Sequence, residues 1–319
     1  MRIFQKPFRW AILYAAVLTV FSAYVLLDAF VIPRAYATVT DSQTTQAQAD
    51  TAVEDVSQTT AESADTQAVA AQAEATVETI ITDTSYSDAN LQISIETLYV
   101  DDTAVYIADI QVSDAACLQT ALAKSTYGRN VTQTTSAIAQ ENGAIFAVNG
   151  DYYGFRNDGY VIRNGVLYRS VSGGGEDLVI DSDGNFSIIE EDEVSAQSLL
   201  NAGAWQVLSF GPALVNDGEI VVSSDSEVSQ SKSSNPRTAI GQISALHYLV
   251  IVSDGRTGES AGLSLMELAE LFAQRGCTVA YNLDGGGSTT MWFNGTVINN
   301  PTDGRNYGER KVSDIVYFE

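Results

Sequence analysis

The chain has 319 residues, 40 of them acidic and 16 basic, for a formal net charge of -24. Such a chain lacks the basic footprint that releases counterions from a nucleic-acid backbone, which excludes nucleic acid as a partner. With one histidine and two cysteines no His-rich metal site can be built, Cys117, Cys277 and His247 show no metal-ligand spacing, and no cofactor is implied.

The N-terminus is membrane-directed. Arg2, Lys6 and Arg9 precede an apolar stretch from Trp10 to Ile32, interrupted mainly by Asp28. That length spans a bilayer and is long for a signal-peptide core. The basic flank predicts the N-terminus inside and the rest of the chain outside. Ala35-Tyr36-Ala37 has the small-x-small form of a cleavage site, so residues 1–37 read as a membrane anchor or a signal peptide. Length favours the single-pass anchor with an extracellular C-terminal domain; cleavage would give a secreted protein. Residues 38–90 are Thr, Ala, Gln, Ser, Asp and Glu with few large apolar residues. They bury too little apolar surface to offset ordering entropy and read as a disordered acidic tether.

From Leu91 the pattern changes, and residues 91–319 form the folded domain. "LQISIETLYV" and "TAVYIADIQV" alternate as paired strands. "CLQTALAK" and "TQTTSAIAQEN" read as helical, and "GAIFAVNGDYYG" as a buried strand entering a loop. Asn164-Gly165 and Asp183-Gly184 mark hairpin turns. A short helix near "SAQSLLNAG", a strand "AWQVLSFGPALV" and a long polar loop from about 223 to 235 follow. "RTAIGQI" and "LHYLVIVSDGR" form a hairpin. "SLMELAELFAQRG" is a helix with a capping box from Ser264 to Glu267 and Gly276 as its stop. "TVAYNLD" is a strand, "TTMWFNG" and "TVIN" a hairpin, and "VSDIVYF" the last strand. The class is α+β, with a mixed, largely antiparallel sheet, few helices and one strand–helix–strand crossover near the C-terminus. Nothing in the pattern specifies an oligomeric state, and the two cysteines read as separate thiols.

The segment "YNLDGGGSTT" carries the chemistry. Consecutive glycines let a ligand approach the backbone, and successive amides can form an anion nest. Ser288 adds a hydroxyl and Asp284 a carboxylate; the competing reading is a tight turn. No lysine follows the glycines and a strand, not a helix, comes next, so neither the P-loop nor the dinucleotide fingerprint fits. A Ser-His-Asp triad would have to use His247, which reads as an outward strand residue.

"AVNGDYYG", "NPRTAIG", "VSDGR", "YNLDGGGSTT" and "NPTDGRNYGERKVSD" occur in this order. The set resembles the phosphodiester glycosidase family, whose animal member removes N-acetylglucosamine from a sugar-1-phosphodiester and whose bacterial relatives are often labelled exopolysaccharide-related. The resemblance covers roughly residues 90 to 319. It implies a hydrolase acting on a glycan phosphodiester, with Asp284, Asp254 and Arg237 as catalytic candidates. Asn149, Gly150, Thr238, Arg256, Gly285, Gly286, Gly287, Ser288 and Arg310 are the implied substrate-binding residues. Asp151 departs from the family pattern, which has a small residue there.

Asp254 and Asp284 each end an apolar run and precede a glycine, across a strand, a helix and a strand. That crossover sets the two strands parallel in one sheet, with both carboxylates at one edge and within about 10 Å of each other. The competing reading of each is turn formation, and of Arg237 a buried salt bridge. Arg163, Arg169, Arg237, Arg256, Arg305 and Arg310 are expected to make one positive pocket. A second class of function, a non-catalytic module binding an anionic cell-wall or capsular glycopolymer, needs the same loop and arginine but no carboxylate pair.

Overall fold

The computed structural model describes residues 7–39, 79–223, 234–304 and 306–319. The N-terminal helix Pro7–Phe30 contains a 20-residue apolar window, Trp10–Ala29, none of it buried against the rest of the chain. Asn130 caps its end by donating its side-chain amide to the carbonyls of Ala29 and Ile32. The strand Arg34–Thr38 then pairs antiparallel with Thr126–Arg129, and Tyr36 packs on Tyr127. Ala35-Tyr36-Ala37 is thus part of a ladder of the domain. Most of the stretch read as a tether, residues 40–78, lies outside the described residues, as do the polar loop at 224–233 and Arg305.

Two sheets face each other. The larger has nine strands, with Val279–Asn282, Arg237–Ser244, His247–Ser253, Thr103–Val112 and Leu91–Val100 side by side in that order. Short strands Ser85–Ser87 and Ile80–Ile81 extend its edge, so the ladder starts ahead of Leu91. The second sheet is built from Leu118–Leu122, Asp314–Phe318, Phe146–Asn149, Met291–Phe293 and Thr296–Val297. Alternation along each strand divides its side chains between two layers. Tyr248, Val250 and Val252 face Phe146, Val148, Val316 and Phe318 between the sheets. Leu249 and Ile251 face the opposite way, onto Leu268 and Phe272 of the helix Leu265–Gln274. Ile315 and Ala147 pack on Ile138 of the helix Thr135–Glu141. The result is four layers, helix–sheet–sheet–helix, with an α+β composition.

Every strand pairing among the described residues is antiparallel. The expected crossover is present: Ser264 and Glu267 form the capping box of Leu265–Gln274. It makes His247–Ser253 and Val279–Asn282 parallel, with Arg237–Ser244 between them. Two expectations fail. "CLQTALAK" is not helical; Leu118–Leu122 pairs with Asp314–Phe318, because a long-range ladder overrides helix propensity. "AWQVLSFGPALV" is not one strand. Ala204–Leu208 belongs to a separate five-stranded sheet and Ala213–Asn216 to the large one, with Pro212 between them. Cys117 and Cys277 are free thiols.

Candidate active site

The site forms where the chain crosses from one sheet to the other. Val279–Asn282 ends in the large sheet, and Met291–Phe293 begins in the second. Residues 283–290 bridge them, with a single 3-10 turn at Gly286–Ser288. Backbone bonds pin the bridge to both sheets. The Leu283 amide donates to Thr238 O at 2.9 Å and the Asp284 amide to Gly150 O at 3.3 Å. Asn149 is the knot. Its Nδ2 donates to Asp284 O at 2.6 Å, while its Oδ1 accepts from Thr238 Oγ1 at 2.8 Å and Thr290 N at 3.2 Å. Asn149 and Thr238, both fully buried, therefore fix the loop rather than contact a ligand.

Two adjoining cavities of about 640 and 650 Å³ share Tyr152, Asp284 and Arg310. The first is also lined by Arg156, Phe210, Asn235, Arg237, Arg256 and Gly285 through Gly287. The second is lined by Val31, Asp151, Phe155, Ser288, Glu309 and Lys311, among others. Asp284 stands at their junction. Burial pushes its carboxyl up to about 6, against the opposing pull of the Ser288 hydroxyl, the Arg310 charge and the Gly285 amide.

The Gly286 amide is committed within the protein. Gly286 N donates to Pro236 O at 2.8 Å, and Ser288 N to Gly285 O at 3.2 Å, so these amides hold the loop down. What the loop offers is the absence of side chains. A Cβ on Gly287 would lie 2.5 Å from the Arg310 guanidinium carbon, and one on Gly286 2.9 Å from an Arg256 guanidinium nitrogen. Two guanidinium groups thus lie against bare backbone beside Asp284. Asp303 holds Arg310 through Nε at 2.9 Å and Nη2 at 2.8 Å, and Asn235 holds Arg256. Buried Arg237 donates Nε to Leu263 O at 2.9 Å and lines the same cavity. Its place follows from register, since Arg237 sits opposite Ser253 at the end of its hairpin.

The expected carboxylate pair is not what lines the cavity. Asp254 is buried elsewhere, with Oδ1 accepting from Asn300 N at 2.8 Å and Asn299 Nδ2 at 3.3 Å, and Oδ2 from Tyr106 at 3.1 Å. Burial raises its pKa while these three donors oppose the rise. Asn299 in turn bonds Thr289 O and Met291 N, so Asp254 positions the far end of the glycine loop. Asp254→Asn keeps most of these acceptors. It is expected to retain more than a tenth of wild-type turnover, with a small loss of Tm; a larger fall in kcat would restore Asp254 to the chemistry.

The arginine pocket also needs correction. Arg237, Arg256 and Arg310 converge, but Arg163 does not. It is buried between Asp151 at 2.7 Å and Asp314 at 2.8 Å. Arg169 is spent on the carbonyls of Gly159, Tyr153 and Arg156. Sequence reasoning missed Arg156, which stacks 5.0 Å over the Phe210 ring, because their pairing depends on strands far apart in the chain. His247 bonds Asp109 at a strand edge, away from the cavity linings.

A family model described as phosphodiester glycosidase matches residues 142–319, which include every site residue from Asn149 to Arg310. The chain belongs to the phosphodiester glycosidase family. The uncharacterized SPbeta prophage-derived protein YomE of Bacillus subtilis (strain 168) is 32% identical over 198 residues, 60% of this chain and 30% of that protein. Mouse N-acetylglucosamine-1-phosphodiester alpha-N-acetylglucosaminidase is 33% identical over 110 residues, 33% of this chain and 21% of that enzyme. The matched region thus spans less than a third of either relative's length. The zebrafish catalytic domain of the same enzyme, auto-inhibited by its pro-peptide, superposes with a TM-score of 0.59 at 22% identity, over 76% of this chain and 88% of that one. A hypothetical protein from Synechocystis gives 0.57 at 14% identity, over 72% of this chain and 62% of that one. At these identities the two structures show a shared fold.

Proposed function

We propose that this protein hydrolyses a sugar-1-phosphodiester of a cell-surface glycan, outside the membrane in which its N-terminal helix is anchored. The observation that carries the reading is Asp284, a half-buried carboxylate at the junction of two cavities, flanked by guanidinium groups packed on a side-chain-free loop. Arg237, Arg256 and Arg310 grip the phosphate, and their fork geometry suits its oxygens. Their convergence supports an anionic substrate for an otherwise acidic chain. Phosphate is a good leaving group, so the reaction needs little general acid. It needs a carboxylate that attacks the anomeric carbon or activates water beside it. Tyr152 and Phe210, at the cavity wall, offer faces for the sugar ring.

Both roles of Asp284 require its ionised form. Turnover is therefore expected to rise as pH increases through about 6, where burial places the carboxyl, and then to level off. A pH profile of kcat on methyl N-acetylglucosamine 1-phosphate checks this; a rate that falls above that pH would make Asp284 the acid. Release of free sugar from a panel of glycan 1-phosphodiesters, absent with Asp284→Asn, tests the activity itself. Tight binding of the same compounds without release would support the binding module instead.

A further inference from the structure

We infer that the substrate is held in the membrane beside the enzyme: a glycosyl phosphodiester whose phosphate carries a lipid chain. The inference rests on the phosphodiester glycosidase reading of the Asp284 site and names its substrate class. The apolar window of the N-terminal helix ends at Ala29, and Val31 already lines the cavity that contains Asp284, Arg310 and Lys311. Two residues of chain reach at most about 7 Å. The headgroup layer on one side of a bilayer is itself about 5–8 Å thick. A window of 20 residues spans the hydrocarbon core with nothing to spare, at about 1.5 Å per residue. The rim of the cavity is thereby placed at the depth of lipid phosphates.

The chain cannot swing the site away from that depth. Arg34–Thr38 pairs with Thr126–Arg129 directly after the helix, and Asn130 bonds the carbonyls of Ala29 and Ile32. The anchor is clamped to the domain at the cavity's own edge. The lining there suits an amphipathic ligand. Val31 and the stacked pair Tyr152 and Phe155, whose ring centroids are 4.7 Å apart, give an apolar approach. Beyond it stand Lys311 and Arg310, the latter held by Asp303 at 2.8 Å, as the groups to meet the phosphate among the cavity's own carboxylates. A soluble polymer segment would gain nothing from an apolar approach set at the bilayer surface.

In the reaction the bond between the anomeric carbon and the bridging oxygen breaks, and the oxygen of water forms the new bond to that carbon. The lipid phosphate leaves as a monoester that keeps the bridging oxygen, and the proton released by water goes to solvent through Asp284. Free sugar departs into the aqueous phase while the second product stays in the bilayer.

The test uses the full chain reconstituted in phosphatidylcholine vesicles, with N-acetylglucosamine 1-phosphate esterified to a polyprenol in the same vesicles or to methanol in solution. We expect the polyprenyl diester to be cleaved with at least tenfold higher kcat/KM. Inserting ten Gly/Ser residues between Ile32 and Pro33 adds a flexible span of roughly 17 Å. It should lower the rate on the polyprenyl diester at least threefold and leave the methyl diester unchanged. Equal or better use of the methyl diester, with no effect of the insertion, overturns the inference but leaves the activity standing. Cleavage of neither diester, with sugar-1-phosphodiesters of glucose and galactose also refused, overturns the activity reading on which it rests.

Discussion

Asp284→Asn is expected to lower kcat by about 10²–10⁴-fold while the protein remains folded, because the replacement is isosteric and removes the one carboxylate that, among the described residues, lines both cavities. The same variant has a stability signature. The folded-state pKa of Asp284 is raised to about 6 from an ordinary 3.8. A raised pKa means stability that is fully present below the unfolded value and lost as pH rises through the folded one. Asparagine carries no charge to bury. The variant should therefore match wild type near pH 4 and melt at a higher temperature at pH 7.5. Catalytic loss joined to a gain in Tm identifies a residue held in a strained electrostatic state for function. Full activity in Asp284→Asn, or a Tm depressed at pH 7.5, would sink this assignment.

Arg163→Met has the largest expected effect on stability. The Arg163 guanidinium is 2% exposed and bonds the carboxylates of both Asp151 and Asp314. Removing it leaves two buried carboxyl groups facing each other, which destabilises by roughly 3–5 kcal/mol. Burial and the neighbouring Asp151 charge already hold Asp314 above its ordinary value, and Arg163 pulls it down. Without the arginine the Asp314 carboxyl titrates higher still. A group whose folded pKa is raised loses stability with rising pH, so the deficit should be large at pH 8 and shrink towards pH 5. Chemical denaturation of variant and wild type at the two pH values measures this. A deficit independent of pH would mean that packing, not charge, gives Arg163 its importance.

Local chemistry in the sequence located much of this fold. Asn164 and Gly165 both adopt positive φ at their hairpin, as the dipeptide demands. Ser264 and Glu267 announce the helix that makes the crossover. The parallel direction of the strands before Asp254 and after Gly276 follows from that helix alone. The number of strands between them does not, and neither does the direction in which each aspartate turns at its strand end. Asp254 and Asp284 look alike in sequence, each ending an apolar run before a glycine. Their fates diverge through their partners: Tyr106, Asn299 and Asn300, each about 45 residues or more away in the chain, engage Asp254, while Arg310 and the nearby Ser288 face Asp284. The split of "AWQVLSFGPALV" between sheets and the burial of Arg163 are likewise matters of long-range pairing. The family resemblance supplied the loop and Arg237 without revealing that the Gly286 amide is already bonded to Pro236 O.

The pairing of Arg34–Thr38 with Thr126–Arg129 changes what the acidic segment after it can be. Its two ends, at Thr38 and at the strand Ile80–Ile81, are both fastened to the same domain. Its length therefore does not set how far Arg34–Thr38 stands from the domain. A protease that cuts between Val39 and Glu78 would break the chain between the N-terminal helix and the domain, yet leave the ladder, the Tyr36–Tyr127 contact and the Asn130 cap in place. Separating the two pieces would then require unzipping that short strand, so the nicked molecule stays in one piece although its chain is cut.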